Sequence, residues 1–240
     1  MKNEKNLHEG HRLRLKTRFV ESGLDSFQPH NILELLLFYS IPRKDTNDIA
    51  HELIEKFGSL SGVFDANIED LTKVNYITEN SATLIKLIPA ISRAYLMDKS
   101  SHTKQFNNVE LVKEYLISLF HGEKNECVYA LFLSNSLDLI GHQKIHEGSV
   151  NSSLIDVRKV MEYIFKANAS MIIIAHNHPK GTVFPSMEDI ETTGRLLSLF
   201  QPFNISVIEH FVVNEFDCYP IIYNTISLKS VCKENEILFK

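Results

Sequence analysis

Residues 170–189 read SMIIIAHNHPKGTVFPSMED. The part through Ala175 is apolar and rich in β-branched residues, with no helical period, which predicts a buried strand. A Pro/Gly-containing loop follows. Then MEDIETTGRLLSLF, residues 187–200, reads as a helix. Outward from this unit the same alternation continues. Upstream lie a helix VELVKEYLISLF (109–120), two strand-like runs, CVYALFLS (127–134) and DLIGHQKIHEGSV (138–150), and a helix DVRKVMEYIFKAN (156–168) with Asp156 as its cap. Downstream, ISVIEHFVVN (205–214) predicts another strand. Strands alternating with helices predict an α/β domain, a mixed sheet covered by helices.

The first hundred residues have a different pattern. HRLRLKTRFVESG, NILELLLFYS and DIAHELIEKF read as helices, ended at Gly23, by Pro42 and at Gly58. NIEDLTKV and SATLIKLIPAISRAYLM add a further helical pair, with Ser81 as N-cap. Between the two patterns DKSSHTKQFNN, residues 98–108, is polar apart from Phe106. The expected organisation is a helical domain over 1–98, a linker over 99–108 and an α/β domain over 109–230. Its 240 residues exceed what one small core needs, in agreement. The net charge of −5 argues against a long DNA footprint. Three cysteines make no framework of bridges and point to a reducing, cytoplasmic compartment. No apolar run reaches the roughly 18 residues of a membrane span, so no membrane partner is expected.

Chemistry concentrates in the opening stretch. His176 and His178, two apart on a strand, point to one face at a strand end, where α/β sites commonly lie. Asp189 opens the next helix. Two imidazoles and a carboxylate form an open zinc set that leaves a fourth position for water. Ser186 and Asp189 also have the spacing of a capping box, which by itself accounts for both residues.

HNHPKGTVFPSMED resembles the JAMM/MPN metalloprotease signature, His-x-His followed by Ser and Asp. EGSVNSSLIDVRKV, KANASMIIIAHNHPKG and IEHFVV resemble the bacterial RadC family, as do HRLRLKTRF and LELLLFYSIPRKDTN in the helical half. The resemblance covers nearly the whole chain. It implies a JAMM/MPN (cytidine-deaminase-like) α/β fold, Zn²⁺ held by His176, His178 and Asp189, and Ser186 at the oxyanion of a tetrahedral intermediate. It further implies hydrolysis of peptide or isopeptide bonds in a protein or peptide substrate. The alternative is a zinc-binding adaptor, weak or inactive in catalysis, acting in DNA-related processes.

Such a protease also needs an upstream glutamate as general base. The family position five residues before Gly148 holds Gln143. Glu147, four along the same strand, is expected to face the same side at about 13 Å, either as the base or as a solvated strand-end carboxylate. Glu123 and Glu126 have no placement argument, and His142 and His146 are expected to face away from the metal. His210 reads more readily as structural than as a second partner of the metal site. LTKVNYITENSATLIKL resembles a helix-hairpin-helix whose Gly-x-Gly turn is here replaced by residues 75–80, NYITEN. Residues 1–99 carry 13 Lys and Arg against 14 Asp and Glu. Arg12, Arg14, Lys16 and Arg18 are the one basic strip through which DNA could bind, and a solvated helix face is the simpler reading.

Overall fold

The computed structural model describes residues 2–101, 105–148, 157–179, 181–232 and 234–239. The chain divides into two units, Met1–Ser92 and Arg93–Lys240. In the first unit α1 (Lys2–Ser22), α2 (Pro29–Leu37), α3 (Asn47–Phe57), α4 (Leu60–Asp65) and α5 (Ile68–Leu71) lead into α6 (Glu79–Ser101). Leu33, Leu37, Leu53, Val63, Leu71 and Ile85 form its core, all fully buried. Gly58 closes α3 at φ +81°, a conformation that suits glycine. Ser81 is not the N-cap of α6. The Thr78 hydroxyl accepts the Ser81 N–H at 3.4 Å, because a cap must stand about three residues before the donor it satisfies.

Three of the four residues of the basic strip are engaged within this unit, Lys16 lying over the Tyr39 ring at 5.2 Å. Arg12 donates to the carbonyls of Ile41 and Lys44 and lies over the Phe38 ring. Arg18 stacks on Phe27 at 4.0 Å. In the 75–80 turn Tyr76 takes φ +66°, a backbone region that favours glycine, and presents an exposed aromatic ring there. These features run against DNA binding by this turn, whose family form relies on bare backbone.

In the second unit α7 (Val109–Phe120) precedes β1 (Cys127–Leu133) and β2 (Leu139–Glu147). Then come α8 (Val157–Ala167), β3 (Met171–Asn177), α9 (Met187–Phe200), β4 (Ser206–Val213), β5 (Cys218–Pro220), α10 (Ile221–Asn224) and α11 (Ile226–Lys229). Among the described residues the sheet order is β2-β1-β3-β4-β5. Only β3 and β4 run parallel, joined through α9; the other pairs are antiparallel. The sheet is therefore mixed, as expected.

Alternation along the strands splits the core into two layers. Val128, Ala130, Ile172 and Ile174 pack with α8 and α9. Tyr129, Leu131, Ile173 and Ala175 pack with α7. The expected linker at 99–108 is structured in its described part. α6 continues to Ser101, Gln105 bridges to Asp138, and Phe106 is fully buried in the α7 layer. Its large apolar ring draws the segment into the core. Asp156, expected to cap α8, lies outside the described residues. The short β5, α10 and α11 have no counterpart in the sequence pattern.

Candidate metal site

The site stands at the carboxyl end of β3. His176 is buried in the strand one residue before its end at Asn177, and His178 follows, its N–H donating to Val213 O at 2.8 Å. Asp189 sits in the first turn of α9, and the three residues offer ligand atoms within 4.8 Å of one another. His176 Nε2 lies 3.2 Å from His178 Nε2 and 3.3 Å from Asp189 Oδ1.

Each group is held from behind. His178 Nδ1 is 2.8 Å from the Thr182 carbonyl, which can only accept, so in the neutral ring the proton is on Nδ1 and Nε2 carries a lone pair. His176 Nδ1 is 2.8 Å from His210 Nε2. The Ser186 N–H and hydroxyl both donate to Asp189 Oδ2 at 2.7 Å, while the Asp189 N–H donates to the Ser186 hydroxyl at 3.1 Å. The capping box expected from the sequence is thus present, and it leaves Oδ1 directed at His176. Burial pushes the Asp189 carboxyl up, but the adjacent His176 ring and the two Ser186 donors outweigh this and hold it well below the usual carboxylate range. Burial lowers His176 more than the Asp189 carboxylate beside it raises it, so the ring is neutral near pH 7. Two imidazole nitrogens and an ionised carboxylate oxygen converge here, a donor set that suits a divalent metal ion such as zinc. The His176-His178-Asp189 group could therefore hold a metal.

The structure rearranges the candidate bases. The β1–β2 register runs Val128↔His146 and then Tyr129↔Lys144, which leaves Ile145 as a bulged residue. The bulge reverses the facing expected beyond Lys144. Glu147 pairs with Cys127, on the α7 side of the sheet, and accepts from Asn125 Nδ2 at 3.1 Å. His146 instead pairs with Val128, which also pairs with His176, so His146 rather than Glu147 shares the face of Gln143. Among the described residues its buried Nε2 has no hydrogen-bond partner. Glu123 is occupied elsewhere, pairing with Arg93 and Lys144 at 2.9 Å each and accepting from the Tyr129 hydroxyl at 2.8 Å.

Glu126 is a further carboxylate near the histidines. It lies two residues before Val128, whose antiparallel partner His176 ends the β1–β3 ladder, and so has the parity of Val128. Glu126 and His178 line one open cleft of about 680 Å³, together with Lys124 and Gly148. The Glu126 charge acts on His176 as well. Asn177, between the two histidines, turns to the other face, where Oδ1 accepts from Cys127 N–H at 2.7 Å and Nδ2 donates to Asn125 O at 3.1 Å. It pins the backbone on both sides of Glu126. The signal for Glu126 was present in the sequence as parity: it has the same parity as Val128 on a strand that pairs with β3.

His210 joins the site as well. It is fully buried, with His176 on one side and the Thr193 hydroxyl 2.7 Å away on the other.

Residues 106–224 match the family model described as the RadC-like JAB domain. Over 215 residues the chain is 34% identical to the UPF0758 protein FN0909 of Fusobacterium nucleatum, a match covering 87% of this chain and 93% of that protein. Likeness of that depth over most of both chains, together with the mixed sheet and the helical N-terminal region, places the protein in the RadC-like JAB family.

Proposed function

We propose that the protein is a zinc-dependent hydrolase of peptide or isopeptide bonds. The observation that supports this reading is the convergence of His176, His178 and Asp189 beside an open cleft that Glu126 also lines. His176, His178 and Asp189 would hold the zinc ion, which when bound would supply Lewis acidity and the activation of water near neutral pH. Glu126 takes the place sought for Glu147: its carboxylate accepts the proton of the attacking water and returns it to the leaving amine. Ser186 acts first through Asp189, whose Oδ2 it holds with two donors. To assist an oxyanion its hydroxyl must turn away from that carboxylate. The substrate is a protein or peptide segment entering the cleft. The buried free thiols Cys127, Cys218 and Cys232 suit a reducing, cytoplasmic setting. Among the described residues no helix is long and apolar enough to cross a membrane.

The test uses zinc-loaded protein with fluorogenic peptides and lysine ε-linked isopeptides. Glu126→Gln is expected to lower kcat about 10²–10⁴-fold with zinc content unchanged, while Glu147→Gln keeps the wild-type rate. No cleavage by the wild type, or loss in Glu147→Gln with Glu126→Gln active, would overturn the assignment.

A further inference from the structure

The hydrogen bonds behind His176 have only one consistent direction. Thr193 lies one helical turn after Asp189 in α9, and its Oγ1 is 2.6 Å from the Asp189 carbonyl. A carbonyl only accepts, so the single hydroxyl proton of Thr193 goes there. Thr193 Oγ1 then offers His210 Nδ1, at 2.7 Å, nothing but lone pairs, and Nδ1 must carry a hydrogen. The His210 ring is fully buried and, among the described residues, has no carboxylate in hydrogen-bond contact, so it is neutral and its Nε2 is a lone pair. His176 Nδ1, 2.8 Å from that lone pair, must donate. A neutral His176 therefore has a bare Nε2, the atom that faces Asp189 Oδ1 and His178 Nε2.

Without this chain the preference would reverse. A carboxylate oxygen 3.3 Å from His176 Nε2 attracts a proton onto that nitrogen, where it would block a metal. We propose that Thr193 and His210 form a directional relay, starting from the main-chain carbonyl of Asp189, that fixes His176 in its Nδ1–H tautomer and keeps Nε2 open for the metal. Both are positioning residues, and neither touches the ion. Asp189 thus serves the site twice, through Oδ1 as a ligand atom and through its carbonyl as the fixed end of the relay. The proposal rests on the metal-site reading above.

Two readouts separate the relay from that reading. In metal-free protein near neutral pH, two-bond ¹H–¹⁵N correlations of the histidine rings are expected to show His176 and His210 both as Nδ1–H. Thr193→Val removes the acceptor, so His210 turns to Nε2–H, His176 follows, and Zn²⁺ affinity falls about 10–100-fold. Thr193→Ser retains the wild-type tautomers and affinity. Should Thr193→Val fail to fold, His210→Gln carries the test. Its amide oxygen can accept from His176 and its NH₂ can donate to Thr193, so His176 stays Nδ1–H. An Nε2–H His176 in the metal-free wild type or in His210→Gln overturns the relay, as does a folded Thr193→Val with wild-type tautomers and affinity. The expected tautomers in a wild type that binds no zinc support the relay and refute the metal site.

Discussion

Replacing Asn177 by Ala tests how the fold carries Glu126 to the metal. Its side chain is 2% exposed and continues the β1–β3 ladder one step past the last main-chain pair, Val128↔His176. Truncation removes the acceptor of the Cys127 N–H, in a residue with no exposed surface, and the donor to the Asn125 carbonyl. Two hydrogen bonds at a net of about 0.5–1.5 kcal/mol each, with about 1–3 kcal/mol for a buried N–H left unpaired, give an expected loss of about 2–6 kcal/mol. Urea denaturation of the metal-free protein measures it. The three ligands keep their own supports, so zinc affinity should change less than about threefold, whereas hydrolysis falls because Glu126 loses its anchor. A stability loss under about 0.5 kcal/mol would refute the argument. So would zinc affinity collapsing as far as in a ligand variant.

Other perturbations separate capping, ligation and catalysis. Ser186→Ala removes the α9 cap and one donor to Asp189, so stability should fall by about 0.5–2 kcal/mol and zinc affinity should fall with it; loss of turnover alone, with both unchanged, would instead make the hydroxyl an oxyanion donor. Asp189→Asn keeps a capping side chain but removes the anionic ligand, so metal affinity should drop more than the melting temperature, and the reverse pattern would reduce Asp189 to a cap. Glu209 gives a pH signature away from the metal. Burial pushes its carboxyl from the ordinary 4.5 up to about 7, against N–H groups of His210, Ile222 and Tyr223. The folded state keeps a proton that the unfolded chain releases, so this contribution is complete below about pH 4.5 and is lost as pH rises through 7, by about 3 kcal/mol. Wild-type stability should show that decline and Glu209→Gln should not; parallel pH profiles would remove the claim.

The strand, loop and helix over 170–200 were legible because each follows a local rule: a β-branched run, Pro/Gly punctuation, then an amphipathic helix with its own cap. His176, His178 and Asp189 come together for the same reason, since all three lie within that one unit. The facing of Glu147 differs from the expectation because it depends on two strands at once. Counting four residues from Gln143 to Glu147 assumes a regular strand, and the bulge at Ile145 turns Glu147 to the α7 side. A bulge leaves no local mark in a sequence such as LIGHQKIHE. Glu126, one residue before β1, becomes meaningful only once β1 is known to pair antiparallel with β3. His210 and Thr193 were hidden similarly, 17 residues apart in sequence and joined by the packing of α9 on β4.

The central claim is that His176, His178 and Asp189 make one metal site, and zinc binding at equilibrium tests it most directly. Calorimetric titration of metal-free protein should give about one Zn²⁺ per chain, with binding abolished in His178→Ala while the fold persists. A wild type that takes up no zinc, or a His178→Ala variant that binds it equally well, would contradict the account.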